Sequence, residues 1–189
     1  MPTVQPITDI DKVKEMLGYL RLRSPRDALL FQTGVNTILR ISDLLRLQVK
    51  HVYLNGKIRE YMDIKEKKTS KWNKIIITST LAPRLKAFIE RYGLEPEHYL
   101  FYPIHLGPTK PMTRAWAGHV LVKAATACGI SNFNTQSMRK THALLIYEAT
   151  AKDIGLVQMM LNHSNPKTTL RYLGITQDSM DRAREFVAV

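Results

Sequence analysis

The chain has 189 residues, with 28 Lys and Arg against 16 Asp and Glu, so its formal net charge is +12. An apolar share of 44% excludes a disordered tail or a collagen-like repeat, and the length suits one domain with a real core. No uncharged apolar run is long enough to span a membrane, Met1 to Lys12 holds no signal-peptide core, and the single Cys128 excludes an intramolecular disulfide.

In chain order, Thr8 or Asp9 caps a helix with Ile10, Val13, Met16, Leu17 and Leu20 on one face. Ser24-Pro25-Arg26-Asp27 starts a second helix, which carries Leu29 to Phe31 and is expected to end near Gly34 to Asn36. Ser42 is expected to cap a short helix, Asp43 to Gln48. The period then changes. Val52 to Leu54 and Lys57 to Ile64, joined by Asn55-Gly56, predict two strands. Lys65 to Lys71 makes a charged tip, and Asn73 to Thr78 predicts a third strand.

Helices resume from Ser79 or Thr80 to Tyr92, with Gly93 as the stop. A proline-rich loop, Glu95 to Pro111, precedes a helix capped by Thr113 and closed at Cys128-Gly129. Further helical patterns cover Gln136 to Glu148, Ile154 to Asn162 and Lys167 to Tyr172, and a last one follows Thr176 as far as Phe186. The expected fold is one mainly α domain over residues 1–189 with a small three-stranded antiparallel sheet, an α+β arrangement.

The positive charge points to a polyanionic partner, nucleic acid first, because each neutralised phosphate releases counterions. Neither common glycine-rich phosphate loop is present, no histidine set has zinc spacing, and no nucleophile elbow appears. Four separated segments stand out instead: Arg40 before Ser42-Asp43-Leu44-Leu45, the tip Lys67-Lys68-Thr69-Ser70-Lys71, Gln136-Ser137-Met138-Arg139-Lys140-Thr141-His142, and Leu161-Asn162-His163-Ser164 with Tyr172 nine residues after His163.

Together these resemble the boxes of the tyrosine recombinases, or phage integrases, in order and in spacing, over nearly the whole chain. The resemblance implies the catalytic-domain fold of that family and a site-specific DNA recombinase that cuts and rejoins strands through a 3′-phosphotyrosine. It implies Tyr172 as nucleophile, Arg40 and Arg139 as forks on the non-bridging phosphate oxygens, Lys68 as proton donor to the leaving 5′-oxygen with Lys71 as runner-up, and His163 as a donor to the phosphate. Asp43 is expected to support the site by orienting a neighbouring Arg or His.

Two positions depart from the family pattern. Gln136 stands where a histidine belongs, and glutamine can hydrogen-bond but cannot take a proton at neutral pH. His142, one turn beyond Arg139, is a candidate substitute, with packing as its plainer role. Asn162 replaces a glycine. Lys67, Lys71, Lys140 and Arg171 are the expected DNA contacts. No cofactor and no metal are expected.

The partner implied is double-stranded DNA, bound by a homo-oligomer, a tetramer joined through the C-terminal helix that holds Met180, Ala183 and Phe186-Val187. The expected location is the cytoplasm of a prokaryote or the host of a mobile element. The family's N-terminal DNA-clamping domain is expected to be missing. A competing reading is a non-catalytic or impaired DNA-binding protein on the same fold, for which Gln136 is the main support. A type IB topoisomerase uses similar residues but different boxes.

Overall fold

The computed structural model describes residues 4–68, 70–175, 181 and 184–187. Two helices open the chain, α1 (Ile10–Arg23) and α2 (Pro25–Thr37). Asp9 caps the first through Asp11 N–H, and Ser24 caps the second through Asp27 N–H with Pro25 in its first turn. The second helix runs three residues past Gly34 to Thr37, and Ile38 ends it in the left-handed region at φ 52°.

The helix expected from Asp43 to Gln48 does not form: the single turn α3 (Ile41–Leu44) ends at Leu44, and a second turn, α4 (Val49–Val52), begins only after Gln48 and takes in Val52, which was expected to open a strand. Arg40, rather than Ser42, stands at the N-cap of α3. Between the turns, Leu47 is fully buried, and its carbonyl accepts from Leu100 N–H at 2.9 Å. That tie to the proline-rich loop takes the backbone out of the helical ladder.

The sheet is split into two antiparallel pairs, β1 (Tyr53–Leu54) with β2 (Lys57–Ile58), and β3 (Tyr61–Lys65) with β4 (Trp72–Ile76). The long strand expected from Lys57 to Ile64 changes partner at Arg59-Glu60. Arg59 N–H donates back to Val52 C=O, whereas Glu60 C=O accepts from Ile77 N–H. One chain segment therefore serves two ladders, and three expected strands become four short ones.

The remaining helices are α5 (Ala82–Arg91), α6 (Arg114–Ala127), α7 (Thr135–Ala149), α8 (Ile154–Met160) and α9 (Pro166–Tyr172), with a 3-10 turn at Ile104–Leu106. Gly93 and Gly129 both have positive φ and stop α5 and α6 as expected. The helix expected after Thr176, with Met180 and Ala183, lies largely outside the described residues. Among the described residues no helix is long and apolar enough to cross a membrane.

Two apolar clusters organise the domain. The larger joins α1, α2, α5 and α6 to the hairpins through residues such as Met16, Phe31, Leu44, Met62, Leu85 and Leu121. The smaller consists of Ile38, Ala143, Val157, Leu161 and Leu173, with Tyr147 and Tyr172 against it. This second cluster welds α8 and α9 to α7 and to the end of α2, so it fixes where the C-terminal tyrosine sits. Helix α7 crosses α2 closely. A Cβ built on Gly34 would lie 2.5 Å from Met138 Sδ, so any larger residue at the crossing displaces the Met138 side chain.

Candidate active site

Arg40 leaves the chain where α2 has ended and α3 begins. Leu39, Ile41 and Leu44 are pulled into the core, which turns the Arg40 side chain to the opposite side, where it keeps 18% exposure. Its Nη1 donates to Glu66 Oε2 at 2.5 Å. Glu66 follows directly on strand β3, and its side chain is fully buried.

Arg139 projects from the first turns of α7 and is the largest fully buried side chain described. A bare guanidinium there would be costly, and two backbone carbonyls compensate. Nη1 donates to Ile38 C=O, which the left-handed turn of Ile38 presents, and Nη2 donates to Leu161 C=O at 2.8 Å, at the end of α8. Nε has no hydrogen-bond partner among the described residues. Burial, and then the nearby Arg40, pull the Arg139 pKa below its ordinary value, against the opposing influence of Tyr172 and Glu66. The guanidinium nonetheless stays a cation. Two arginines thus stand close together with one carboxylate between the first box and the hairpin.

Tyr172 is the last residue of α9, a helix capped by Asn165 with Pro166 in its first turn. Its phenolic O–H donates to Gln136 Oε1 at 2.7 Å. Its ring meets the His163 ring edge to face, with centroids 5.1 Å apart. The His163 Nδ1 pairs with the buried Thr169 hydroxyl at 3.1 Å. Burial first, then the cations Arg139, Arg40 and Lys68, bring the His163 pKa down to about 4, with Glu66 opposing them. His163 is therefore neutral at physiological pH in this state.

Lys67 and Lys68 form the exposed turn after Glu66. The Lys67 backbone N–H donates to Asp43 Oδ1 at 2.9 Å. Asp43 therefore holds the lysine-bearing turn and not, as expected, a neighbouring Arg or His. Asp43 is itself buried, and its second oxygen, Oδ2, has no hydrogen-bond partner among the described residues. Lys71 is exposed on the far side of the same turn, and Arg171 is exposed on α9.

Lys140 departs from its expected role as a DNA contact. It is buried, its Nζ donates to Val4 C=O at 2.7 Å, and it lies 5.2 Å from the Tyr172 ring centroid. It fastens the N-terminal segment to α7. His142 also faces away from the tyrosine, because its Nδ1 donates to Val35 C=O at 2.6 Å and its ring lies against α2. The packing role suits it, and Gln136 is the side chain that meets the phenol. Among the described residues no three His, Cys, Asp or Glu side chains converge to hold a metal ion.

Five separated segments thus put Arg40, Glu66, Gln136, Arg139, His163 and Tyr172 into one basic patch. The family model described as the phage integrase family matches residues 7–178. The chain belongs to the phage integrase family. Over 179 residues it is 38% identical to the probable integrase/recombinase YoeC of Bacillus subtilis (strain 168), covering 95% of this chain and 94% of that protein. It is 28% identical over 172 residues to a tyrosine recombinase of Pseudothermotoga lettingae, covering 90% of this chain but 57% of that protein. The crystal structure of XerH site-specific recombinase bound to palindromic difH substrate aligns with a TM-score of 0.73 at 22% identity, over 96% of this chain and 52% of that one. This integrase-family chain therefore spans nearly all of one relative and a little over half of the others, and its fold is that of the tyrosine recombinase catalytic domain.

Two members of the patch escape a reading of boxes alone. Glu66 is the one acid in a run containing Lys65, Lys67, Lys68, Lys71 and Lys74, and that isolation was the available signal. Thr169, which meets His163, carries none, because a threonine mid-helix is ordinary.

Proposed function

We propose that this chain is a site-specific DNA recombinase whose nucleophile is Tyr172. The observation that carries the reading is the placement of the Tyr172 phenol, held by Gln136 and flanked by His163, beside the cations Arg139 and Arg40. A scissile phosphodiester seated there meets fixed positive charge where negative charge grows as phosphorus is attacked. Tyr172 Oη bonds to phosphorus and the P–O5′ bond breaks, leaving a 3′-phosphotyrosine. The leaving oxygen takes a proton from Lys68 on the exposed turn, and the phenolic proton leaves to water. Gln136 accepts a hydrogen bond from the phenol but cannot accept its proton. Neutral His163 has two tautomers, and the one whose Nδ1 accepts from the Thr169 hydroxyl carries its hydrogen on Nε2, where it can donate to a phosphate oxygen. Lys67, Lys71 and Arg171 are exposed and suited to the DNA backbone, and strand exchange between two duplexes calls for several protomers on DNA.

The test is covalent capture. A binding site is first selected from a random duplex pool by the protein itself, then built into duplexes nicked near each candidate phosphate so that cleavage traps the adduct. The wild-type chain should form a protein–DNA adduct and Tyr172→Phe should form none. Binding without any adduct on the selected site would instead favour the non-catalytic DNA-binding protein, the reading for which Gln136 is the specific support.

A further inference from the structure

Glu66 is a carboxylate buried in a patch built to receive a phosphate, and both of its ends are engaged. Its side chain is 0% exposed, Oε2 accepts from Arg40 Nη1 at 2.5 Å, and Oε1 faces Asn162 Nδ2 at 3.4 Å. Its backbone closes the turn that carries the lysines. Glu66 N–H donates to Lys71 C=O, and Glu66 C=O accepts from Ser70 N–H, both at 2.9 Å. Asn162 adopts φ 53° immediately before His163. One residue therefore touches three parts of the patch that are remote in sequence: the first-box arginine, the lysine turn and the third-box turn.

We propose that Glu66 is the positioning residue of this site, fixing the Arg40 guanidinium and seating the Lys67-Lys68 turn against it. This rests on the recombinase reading above. The guanidinium is a rigid planar fork, so anchoring one Nη sets the plane of the rest and leaves the Nε and Nη2 side for a phosphate. A buried carboxylate is tolerated only when paired, so the turn is held in register with Arg40 by the same contact that orients Arg40. Glu66 also offsets the repulsion between Arg40 and Arg139 while no phosphate is present. Asp43 ties the neighbouring Lys67 N–H to α3 from the other side, so the turn is held at two successive residues.

Two measurements test it. In the DNA-free protein, arginine side-chain 15N NMR should show slowed Cζ–Nε rotation for several guanidiniums, the doubly bonded Arg139 among them; the one missing in Arg40→Lys is that of Arg40, and it should be lost equally in Glu66→Gln. On the selected, nicked duplex, Glu66→Gln should slow adduct formation about 10²-fold, the size expected when a catalytic fork is misplaced by about an ångström, with DNA affinity little changed. Because Glu66 acts through Arg40, adding Glu66→Gln to Arg40→Lys should cause no further loss. Multiplying losses, or a wild-type rate in Glu66→Gln, overturns the proposal. Should Glu66→Gln fail to fold, Glu66→Asp, which withdraws the carboxylate by one methylene, takes its place with the same outcomes. If the wild-type chain forms no adduct, the recombinase reading fails. The anchoring role is then decided by the NMR, where an Arg40 guanidinium equally mobile with and without Glu66 overturns it.

Discussion

The phenolic O–H of Tyr172 donates to Gln136 Oε1 at 2.7 Å, so the residue in the place of the family's histidine is in direct contact with the proposed nucleophile. The contact orients the phenol without offering it a base. Gln136→His would put a proton acceptor at that point. If proton removal limits cleavage, adduct formation should speed up, by as much as the 10²–10⁴-fold that general acid–base help typically contributes. Tyr172→Phe should remain inactive in both backgrounds. An unchanged rate in Gln136→His would show that proton removal from Tyr172 is not what limits the reaction.

Arg139 is more deeply committed to the fold than a phosphate-binding residue need be. Its guanidinium caps the carbonyls of Ile38 and Leu161, tying the end of α2 to the end of α8. Arg139→Ala should abolish cleavage and also lower stability, because each buried carbonyl left without a donor costs about 1–3 kcal/mol. Chemical denaturation should show a lower midpoint with an unchanged slope. A variant as stable as wild type would mean that water replaces both bonds without cost.

Local patterns are legible in the sequence: Ser24-Pro25 marks a helix start and Asn55-Gly56 a tight turn, while among the boxes the nine-residue step from His163 to Tyr172 spans one turn and one short helix. What lay beyond reach was tertiary. The Leu47 carbonyl bonds the proline-rich loop and breaks an expected helix, and Arg59-Glu60 divides one strand between two ladders. Lys140 looks like a surface cation in sequence, yet Val4 C=O covers it from 136 residues away. Glu66 pairs with Arg40 across 26 residues for the same reason: the partner is supplied by the fold, not by a neighbour in sequence.

Gly34 tests the crossing that places Arg139. A methyl at this position would sit 2.5 Å from Met138 Sδ and 2.9 Å from its Cε, and Met138 is only 2% exposed. Gly34→Ala should therefore destabilise by about 1–3 kcal/mol, as overpacking of a close core does. Met138→Ala in the same chain should recover part of that loss, since it removes the atoms in collision. If the two losses simply add, the crossing is not the cause.

DNA binding should be steeply salt-dependent. With +12 formal charge and exposed Lys67, Lys68, Lys71 and Arg171 beside the site, a contact to about six phosphates would cost about 10³-fold or more in affinity between 50 and 200 mM salt. A titration across that range measures the slope. A flat dependence would exclude backbone phosphates as the main contacts.

The neutral state of His163 makes stability depend on pH. Its pKa in the folded chain is about 4 against an ordinary 6.5, so between those values the unfolded chain holds more protons than the folded one. Its contribution to stability is full above about pH 6.5, falls as the pH is lowered toward 4, and changes no further below that. His51 and His142 are also lowered by burial and act in the same direction, so the informative quantity is a difference. His163→Asn should flatten the decline of the melting temperature between pH 6.5 and 4 relative to wild type. The phosphate that the site is proposed to bind should reverse the bias. An anion beside the ring offsets Arg139, Arg40 and Lys68, so DNA binding near pH 5 should draw a proton onto His163. Calorimetry in buffers of different ionisation heat counts that proton, and wild type should take up more than His163→Asn. Equal uptake by the two proteins would mean that His163 does not face the bound phosphate.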